Sequence, residues 1–82
     1  MNIFVARLNY NTQESELQEA FEVFGEVSSV KIIIDKLSGR SKGFGFVEMP
    51  NEEEGSAAIS NLNDSEFKER TIVVKKAKPR EE

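Results

Sequence analysis

The chain has 82 residues, 38% of them hydrophobic and 32% charged, a balance typical of one small globular domain rather than of a disordered segment. It contains no cysteine and no histidine, which excludes disulfides and leaves only carboxylates as charged metal ligands. The formal net charge of -4 argues, taken alone, against a polyanionic partner.

The distribution of the charges changes that conclusion. Residues 14–26 carry five glutamates and no base, and residues 52–54 are three further glutamates. The bases concentrate in two other stretches: Lys31, Lys36, Arg40 and Lys42, then Lys75, Lys76, Lys78 and Arg80. Segregated charge can build a basic patch on an acidic protein, so a polyanionic partner stays open.

A strand and an amphipathic helix are the first predicted elements. The alternation in IFVAR predicts a strand at 3–7. Apolar residues then recur with the spacing i, i+3, i+4, i+7 of a helix, at Leu17, Ala20, Phe21 and Phe24. We predict Thr12 as the N-cap of this helix, and Gly25 stands where a C-cap glycine belongs.

Two strands, a second helix and a last strand follow. VKIII and GFGFVEM predict strands at 30–34 and 43–49, joined by the long basic loop DKLSGRSK. The second helix begins after Pro50 and Asn51, and its apolar stripe is Gly55, Ala58, Ile59 and Leu62. TIVVKK predicts the last strand at 71–76. The order βαββαβ indicates an α+β, ferredoxin-like sandwich in which two helices back a four-stranded antiparallel sheet.

Strand parity assigns the side chains to two faces of this sheet. The inward set, packed against the helices, is Ile3, Val5, Ile32, Ile34, Val47, Met49, Ile72 and Val74. The outward set is Phe4, Ala6, Lys31, Ile33, Phe44, Phe46, Glu48, Val73 and Lys75. Three phenylalanines therefore collect on the uncovered face beside cations, an arrangement that suits single-stranded nucleic acid. We interpret Gly43 and Gly45 as positions that let a ligand backbone approach.

Two segments resemble the paired motifs of the RNA recognition motif family. KGFGFVEM at 42–49 resembles the ribonucleoprotein octapeptide, and IFVARL at 3–8 resembles its companion hexapeptide on the first strand. The similarity extends from residue 2 to residue 78. It implies one RNA recognition motif domain at 1–78 and a short charged tail at 79–82. The chain is most similar to the stand-alone single-motif RNA-binding proteins of bacteria.

The resemblance also implies roles for individual residues. Phe4 and Phe46 match the base-stacking positions, Phe44 the position that lies against riboses, and Lys42 a phosphate contact. For the remaining candidates, RNA contact and plain solvation both stay open: Arg7, Lys31, Arg40, Lys75 and Lys78. Glu48 either accepts a hydrogen bond from a base amino group or acts as a mildly repulsive element. Tyr10 is predicted to be a packing residue.

Several residues depart from the family pattern. Ala6 and Arg7 stand where glycine and asparagine are common, and Gly55 replaces an alanine, which should cost about 1 kcal/mol of helix stability. Asp64 and Glu69 stand where glycine is frequent. None of these departures removes a stacking ring.

We therefore expect a binding module for single-stranded RNA that acts in post-transcriptional regulation, with no catalytic activity, cofactor or metal. Single-stranded DNA as a ligand, and a protein-interaction domain that uses the acidic helices, are the alternatives. An acyl phosphate hydrolase on the same scaffold is disfavoured, because LNYNTQ at 8–13 has no glycine-rich phosphate cradle. No apolar run approaches about 20 residues and the first residues do not resemble a signal peptide, so a protein of the cytoplasm without membrane contact is expected. We also expect a monomer.

Overall fold

A four-stranded sheet and two helices form two layers in the computed structural model, which describes residues 1–77. The elements in chain order are β1 Asn2–Ala6, α1 Glu14–Glu22, β2 Ser29–Ile34, β3 Ser41–Glu48, α2 Glu52–Leu62, β4 Glu66–Phe67, β5 Arg70–Thr71 and β6 Val73–Ala77. The predicted βαββαβ order is confirmed. The short β4–β5 hairpin before the last strand was not predicted. Neither helix within residues 1–77 is long and apolar enough to cross a membrane.

The strands are ordered β2-β3-β1-β6, and every neighbouring pair is antiparallel. β1 and β3 are therefore central and adjacent, as the resemblance implied. Lys78 and the tail at 79–82 lie outside the described residues.

The core lies between the sheet and the helices and follows the predicted parity at almost every position. Its fully enclosed members are Ile3, Val5, Leu8, Leu17, Phe21, Val47, Met49, Ala58, Ile72 and Val74, with Ile32 nearly so. Ile34 is the exception, because its side chain is 49% exposed. Between the pairs Ile32↔Gly45 and Ile34↔Ser41, β2 advances two residues and β3 four. This irregularity breaks the simple alternation, so the prediction that Ile34 faces the core is wrong.

Both predicted ends of α1 are corrected. Gln13, not Thr12, is the N-cap, and its backbone N–H donates to Glu16 Oε1 at 2.9 Å. Val23 is the C-cap with a right-handed φ of -58°, and Gly25 does not adopt the left-handed conformation of a C-cap glycine. A side chain at Gly25 would instead collide with that of Glu54. The prediction for α2 is confirmed, since Asn51 Oδ1 accepts the N–H of Glu54 at 3.0 Å.

The structure gives physical reasons for the departures from the family pattern. A Cβ at Gly55 would lie 2.5 Å from Met1 Sδ, so glycine makes room for the Met1 side chain over α2. Asp64 and Glu69 both have left-handed backbones, with φ of 63° and 69°. Arg7 shares this conformation at 61°. Glycine and asparagine tolerate a left-handed backbone better than other residues do, which explains why they are usual at positions 7, 64 and 69.

Candidate nucleic-acid interface

One row of side chains crosses the whole sheet on the face that the helices leave uncovered. The register pairs Lys31 of β2 with Phe46 of β3, Phe46 with Phe4 of β1, and Phe4 with Lys75 of β6. Directly opposed residues in antiparallel strands project to the same face about 4.5–5.5 Å apart at Cβ. The sheet therefore presents a cation, two aromatic rings and a second cation in sequence, and we call these four residues the central row.

A third ring completes an aromatic cluster beside the central row. Phe44 pairs with Ala6, and its ring centroid lies 5.9 Å from that of Phe4 at an interplanar angle of 44°. Phe4 and Phe46 are 5.6 Å apart and tilted by 54°. Tilted pairs at this separation stabilise one another. The rings are still accessible, because Phe46 is 39% exposed and the other two are partly so.

The cluster keeps its position because the opposite faces of the same strands are locked in the core. Ile3 and Val5 flank Phe4 in the sequence of β1, Val47 follows Phe46, and all three are at most 1% exposed. In a strand, a buried side chain fixes the outward direction of its neighbours. The rings are thus held on rigid strands rather than on loops.

The glycines of β3 do not have the predicted role. Gly43 and Gly45 are both buried, so neither opens the surface to a ligand backbone. A side chain at Gly45 would collide with the backbone carbonyl of Lys31 on β2. Gly43 has a φ of 83°, and a Cβ there would lie 3.3 Å from Cε1 of Tyr10. Gly45 permits the close pairing of β2 with β3, and Gly43 permits the irregular segment beside Tyr10.

The other predicted contact residues surround the cluster. Lys31, Lys42, Lys75, Arg7 and Arg40 are all exposed. Arg7 directly follows β1, and Arg40 lies in the loop between β2 and β3. Glu48, exposed at the end of β3, accepts a hydrogen bond from Ser28 Oγ at 3.1 Å.

The two layers of the domain carry opposite charge. Glu19, Glu22, Glu52 and Glu53 are exposed on the helices, whereas Lys31 and Lys75 lie on the uncovered face of the sheet. The negative total is therefore concentrated away from the rings, and the inference of a basic patch on an acidic protein is supported. Within residues 1–77 no group of three acidic side chains is placed to hold a metal ion.

Sequence reasoning missed an exposed fourth ring. Tyr10 is 62% exposed, so its prediction as a packing residue is wrong. The guanidinium carbon of Arg70 lies 5.8 Å from the centroid of its ring. Tyr10 follows the end of β1, where the alternation that identified the other outward rings no longer applies, and Arg70 belongs to the unpredicted hairpin.

Comparison with known proteins agrees with this geometry. The model of the RNA recognition motif family matches residues 3–73, and the chain belongs to this family. It is 43% identical over 82 residues to "Putative RNA-binding protein RbpB" of Nostoc sp., which covers the whole chain and 80% of that protein. A protein of Synechocystis sp., "Putative RNA-binding protein RbpA", is 42% identical over 81 residues, or 99% of this chain and 80% of the relative.

Solved structures are similar over the same length. The crystal structure of RNA-binding protein PG1 superimposes with a TM-score of 0.95 at 45% identity, covering 100% of this chain and 99% of that one. The Sxl-lethal protein in complex with RNA gives a TM-score of 0.90 at 28% identity, covering 99% of this chain and 48% of that one.

Proposed function

We propose that this domain binds single-stranded RNA by stacking bases on the uncovered sheet face and acts without catalysis, as a post-transcriptional regulator in the cytoplasm. The observation that carries the proposal is the central row, in which Phe46 and Phe4 are flanked by Lys31 and Lys75. A nucleotide strand combines flat bases with a regular series of negative charges. The rings of the central row can stack on the bases, and its ammonium groups can pair with the negative charges of the phosphates.

The proposal also assigns roles to individual residues of the interface. Phe4 and Phe46 stack one base each, and Phe44, two residues before Phe46 on β3, lies against the riboses between them. Lys42, Arg7 and Arg40 contact phosphates on the side of Phe44. Glu48, at the opposite end of β3, accepts a hydrogen bond from a base amino group. The RNA-bound solved relative supports RNA as the ligand.

The expected affinity follows from these contacts. Stacking on an aromatic side chain contributes about 1–3 kcal/mol per base. Two stacked bases and a few phosphate contacts, less the cost of ordering the strand, correspond to an affinity on the order of micromolar.

The decisive experiment compares wild type with Phe46→Ala by fluorescence anisotropy of a labelled random-sequence RNA octamer across a salt series. Loss of one stack should weaken binding by about 5- to 150-fold. The wild-type affinity should fall with salt at a logarithmic slope of about -2 to -3, as expected when three or four of the five interface cations contact phosphates of a single strand. Val23→Ala is the matched control, because Val23 is 78% exposed at the end of α1, outside the proposed interface.

Equal binding by wild type and a folded Phe46→Ala variant would refute stacking at Phe46. Absence of wild-type binding even at low salt would refute RNA as the ligand and would direct attention to protein partners of the acidic helices. Circular dichroism of each variant confirms that the fold is retained.

A further inference from the structure

The two outer strands of the sheet each have a neighbouring strand on one side only. Within residues 1–77 these are β2 and β6, the ends of the order β2-β3-β1-β6. In an antiparallel sheet, alternate residues of an outer strand direct their N–H and C=O groups to the open side. Because these groups can pair with a strand of another molecule, an open edge is a template for self-association.

The composition of β2 suits such pairing. Its sequence SVKIII at 29–34 contains one valine and three isoleucines, a single charge, and neither proline nor glycine. Residues of this type favour strand pairing. Ile34, at the end of the strand, is 49% exposed. The matching partner is a second copy of the chain, because two identical strands can pair antiparallel about a two-fold axis.

The side chain of Glu14 lies on this open edge. Glu14 is the first residue of α1, and its Oε2 accepts the backbone N–H of Ile32 at 3.0 Å. Ile32 is aligned with Gly45 of β3 on its other side, so an N–H that donates to Glu14 is directed away from β3. The carboxylate oxygen therefore takes the place that the carbonyl oxygen of an added strand would have.

We propose that Glu14 is an edge cap, a side chain whose hydrogen bond to Ile32 keeps β2 from pairing with a second copy of this chain. A strand that approaches β2 must first displace the carboxylate, and it gains no hydrogen bond from Ile32 until it does so. The inference goes beyond RNA binding, because it concerns the outer edge of the sheet and not the aromatic cluster.

The opposite edge has a corresponding arrangement. Asn63, at the end of α2, accepts the N–H of Val74 on β6 through Oδ1 at 2.9 Å. Lys76 protects β6 further: strand alternation places it on the same face as the buried Val74, and it is exposed. A charge on the core side of an outer strand disfavours strand addition. The isoleucines at 32–34 provide no such charge, so β2 depends on Glu14.

The test compares the self-association of the full chain and of three variants by sedimentation velocity over a series of protein concentrations. Glu14→Ala removes the acceptor, Glu14→Gln keeps an oxygen that can accept the same N–H, and Glu19→Ala removes another exposed glutamate of α1. Each variant loses one negative charge, so a difference among them does not come from net charge.

Only Glu14→Ala should self-associate more tightly than wild type. We expect its dimer dissociation constant to be about 5- to 150-fold lower, as for one additional hydrogen bond from Ile32 in each copy. Glu14→Gln and Glu19→Ala should remain as monomeric as wild type. Concentration-dependent amide chemical shifts of Glu14→Ala should lie on β2.

Amide hydrogen exchange in dilute, monomeric protein supplies a second readout. Glu14→Ala should accelerate exchange at Ile32 and leave Val74, on the opposite edge, unchanged. Glu14→Gln should retain the protection of Ile32. A general loss of stability would instead accelerate both amides, so this measurement separates the edge cap from a merely structural role of Glu14.

Several results would overturn the inference. Equal self-association of Glu14→Ala and wild type would show that the hydrogen bond does not keep copies apart. Equal tightening in Glu14→Ala and Glu14→Gln would assign the effect to the charge instead of the hydrogen bond. Concentration-dependent shifts confined to residues outside β2 would exclude this edge as the contact between copies.

Discussion

Replacing Gly45 by alanine adds one methyl group and tests how closely β2 packs against β3 at this position. A Cβ at this position meets the carbonyl oxygen of Lys31 and lies 3.0 Å from Cα of Ile32. Both obstacles are backbone atoms of β2, which pairs directly with β3. Neither can rotate away as a side chain could. The Gly45→Ala variant can therefore fold only if β2 moves away from β3.

The size of the effect follows from two opposing contributions. Forcing an extra methyl group into a closely packed position costs about 1–3 kcal/mol. Replacing glycine by alanine returns about 0.4–1 kcal/mol, because the unfolded chain loses conformational freedom. We expect a net loss of about 1–2 kcal/mol from a free energy of unfolding on the order of 5–15 kcal/mol. β2 is at the edge of the sheet, so it can move and the variant should still fold.

Gly55→Ala is the matched control, because the chemical change is identical and the obstacle is different. The new Cβ would lie 2.5 Å from Met1 Sδ, which belongs to a flexible side chain. Alanine within a helix is favoured over glycine by about 0.5–1 kcal/mol, which offsets the repositioning of Met1. We expect the free energy of unfolding of Gly55→Ala to be no more than about 0.5 kcal/mol below that of wild type.

Urea unfolding followed by far-ultraviolet circular dichroism measures both variants against wild type. Gly45→Ala should lower the midpoint with little change in the slope m, since the compactness of the folded state is retained. A midpoint equal to or above that of wild type would refute the close contact of β2 with Gly45. An equal decrease of the urea midpoint in Gly55→Ala would show that the destabilisation of Gly45→Ala does not come from the backbone atoms of β2.

Three further predictions concern turns and charges. Glu69→Gly should raise the free energy of unfolding by about 0.5–1 kcal/mol, because Glu69 has a φ of 69°, whereas Glu66→Gly within β4 should lower it. Urea unfolding measures both variants, and a lower free energy of unfolding in both would contradict the prediction. The Lys68 ammonium bonds to Glu16 at 2.9 Å and lowers the pKa of that carboxyl below its ordinary value of 4.5. The stabilisation by this ion pair is therefore present above about pH 4.5 and is lost as the pH falls through the folded-state pKa of Glu16. The difference in Tm between wild type and Glu16→Gln should disappear in acid and shrink with added salt. A difference in Tm that stays constant would exclude the ion pair as the cause of that difference. Arg7→Asn should raise the Tm, because asparagine tolerates the φ of 61° at this position. The same variant should reduce the logarithmic salt slope of RNA binding by about 0.7, and an unchanged slope would indicate that Arg7 does not contact phosphate.

The sequence by itself determined the element order and the side of the sheet on which the rings lie. Phe4 and Phe46 alternate with Ile3 and Val47, and a period of two leaves only one arrangement in which a single layer of helices covers the apolar side chains. Local pattern is sufficient here because strand alternation is a property of neighbouring residues. The motifs on the same two strands indicate the family without any information on tertiary contacts.

Only the tertiary structure determined which residues meet across the strands. The alignment of Lys31 with Phe46 and of Phe4 with Lys75 depends on register, which is set by packing of distant strands. The exposure of Ile34 follows from an irregularity that no local pattern marks.

The surroundings of Tyr10 also depend on tertiary structure, because Gly43 and Arg70, which lie beside its ring, are far from it in the chain. The N-cap of α1 is Gln13 rather than Thr12, although threonine is one of the residues that most often cap a helix. Periodicity determines which way a side chain points from its own strand. Long-range packing determines what it meets there.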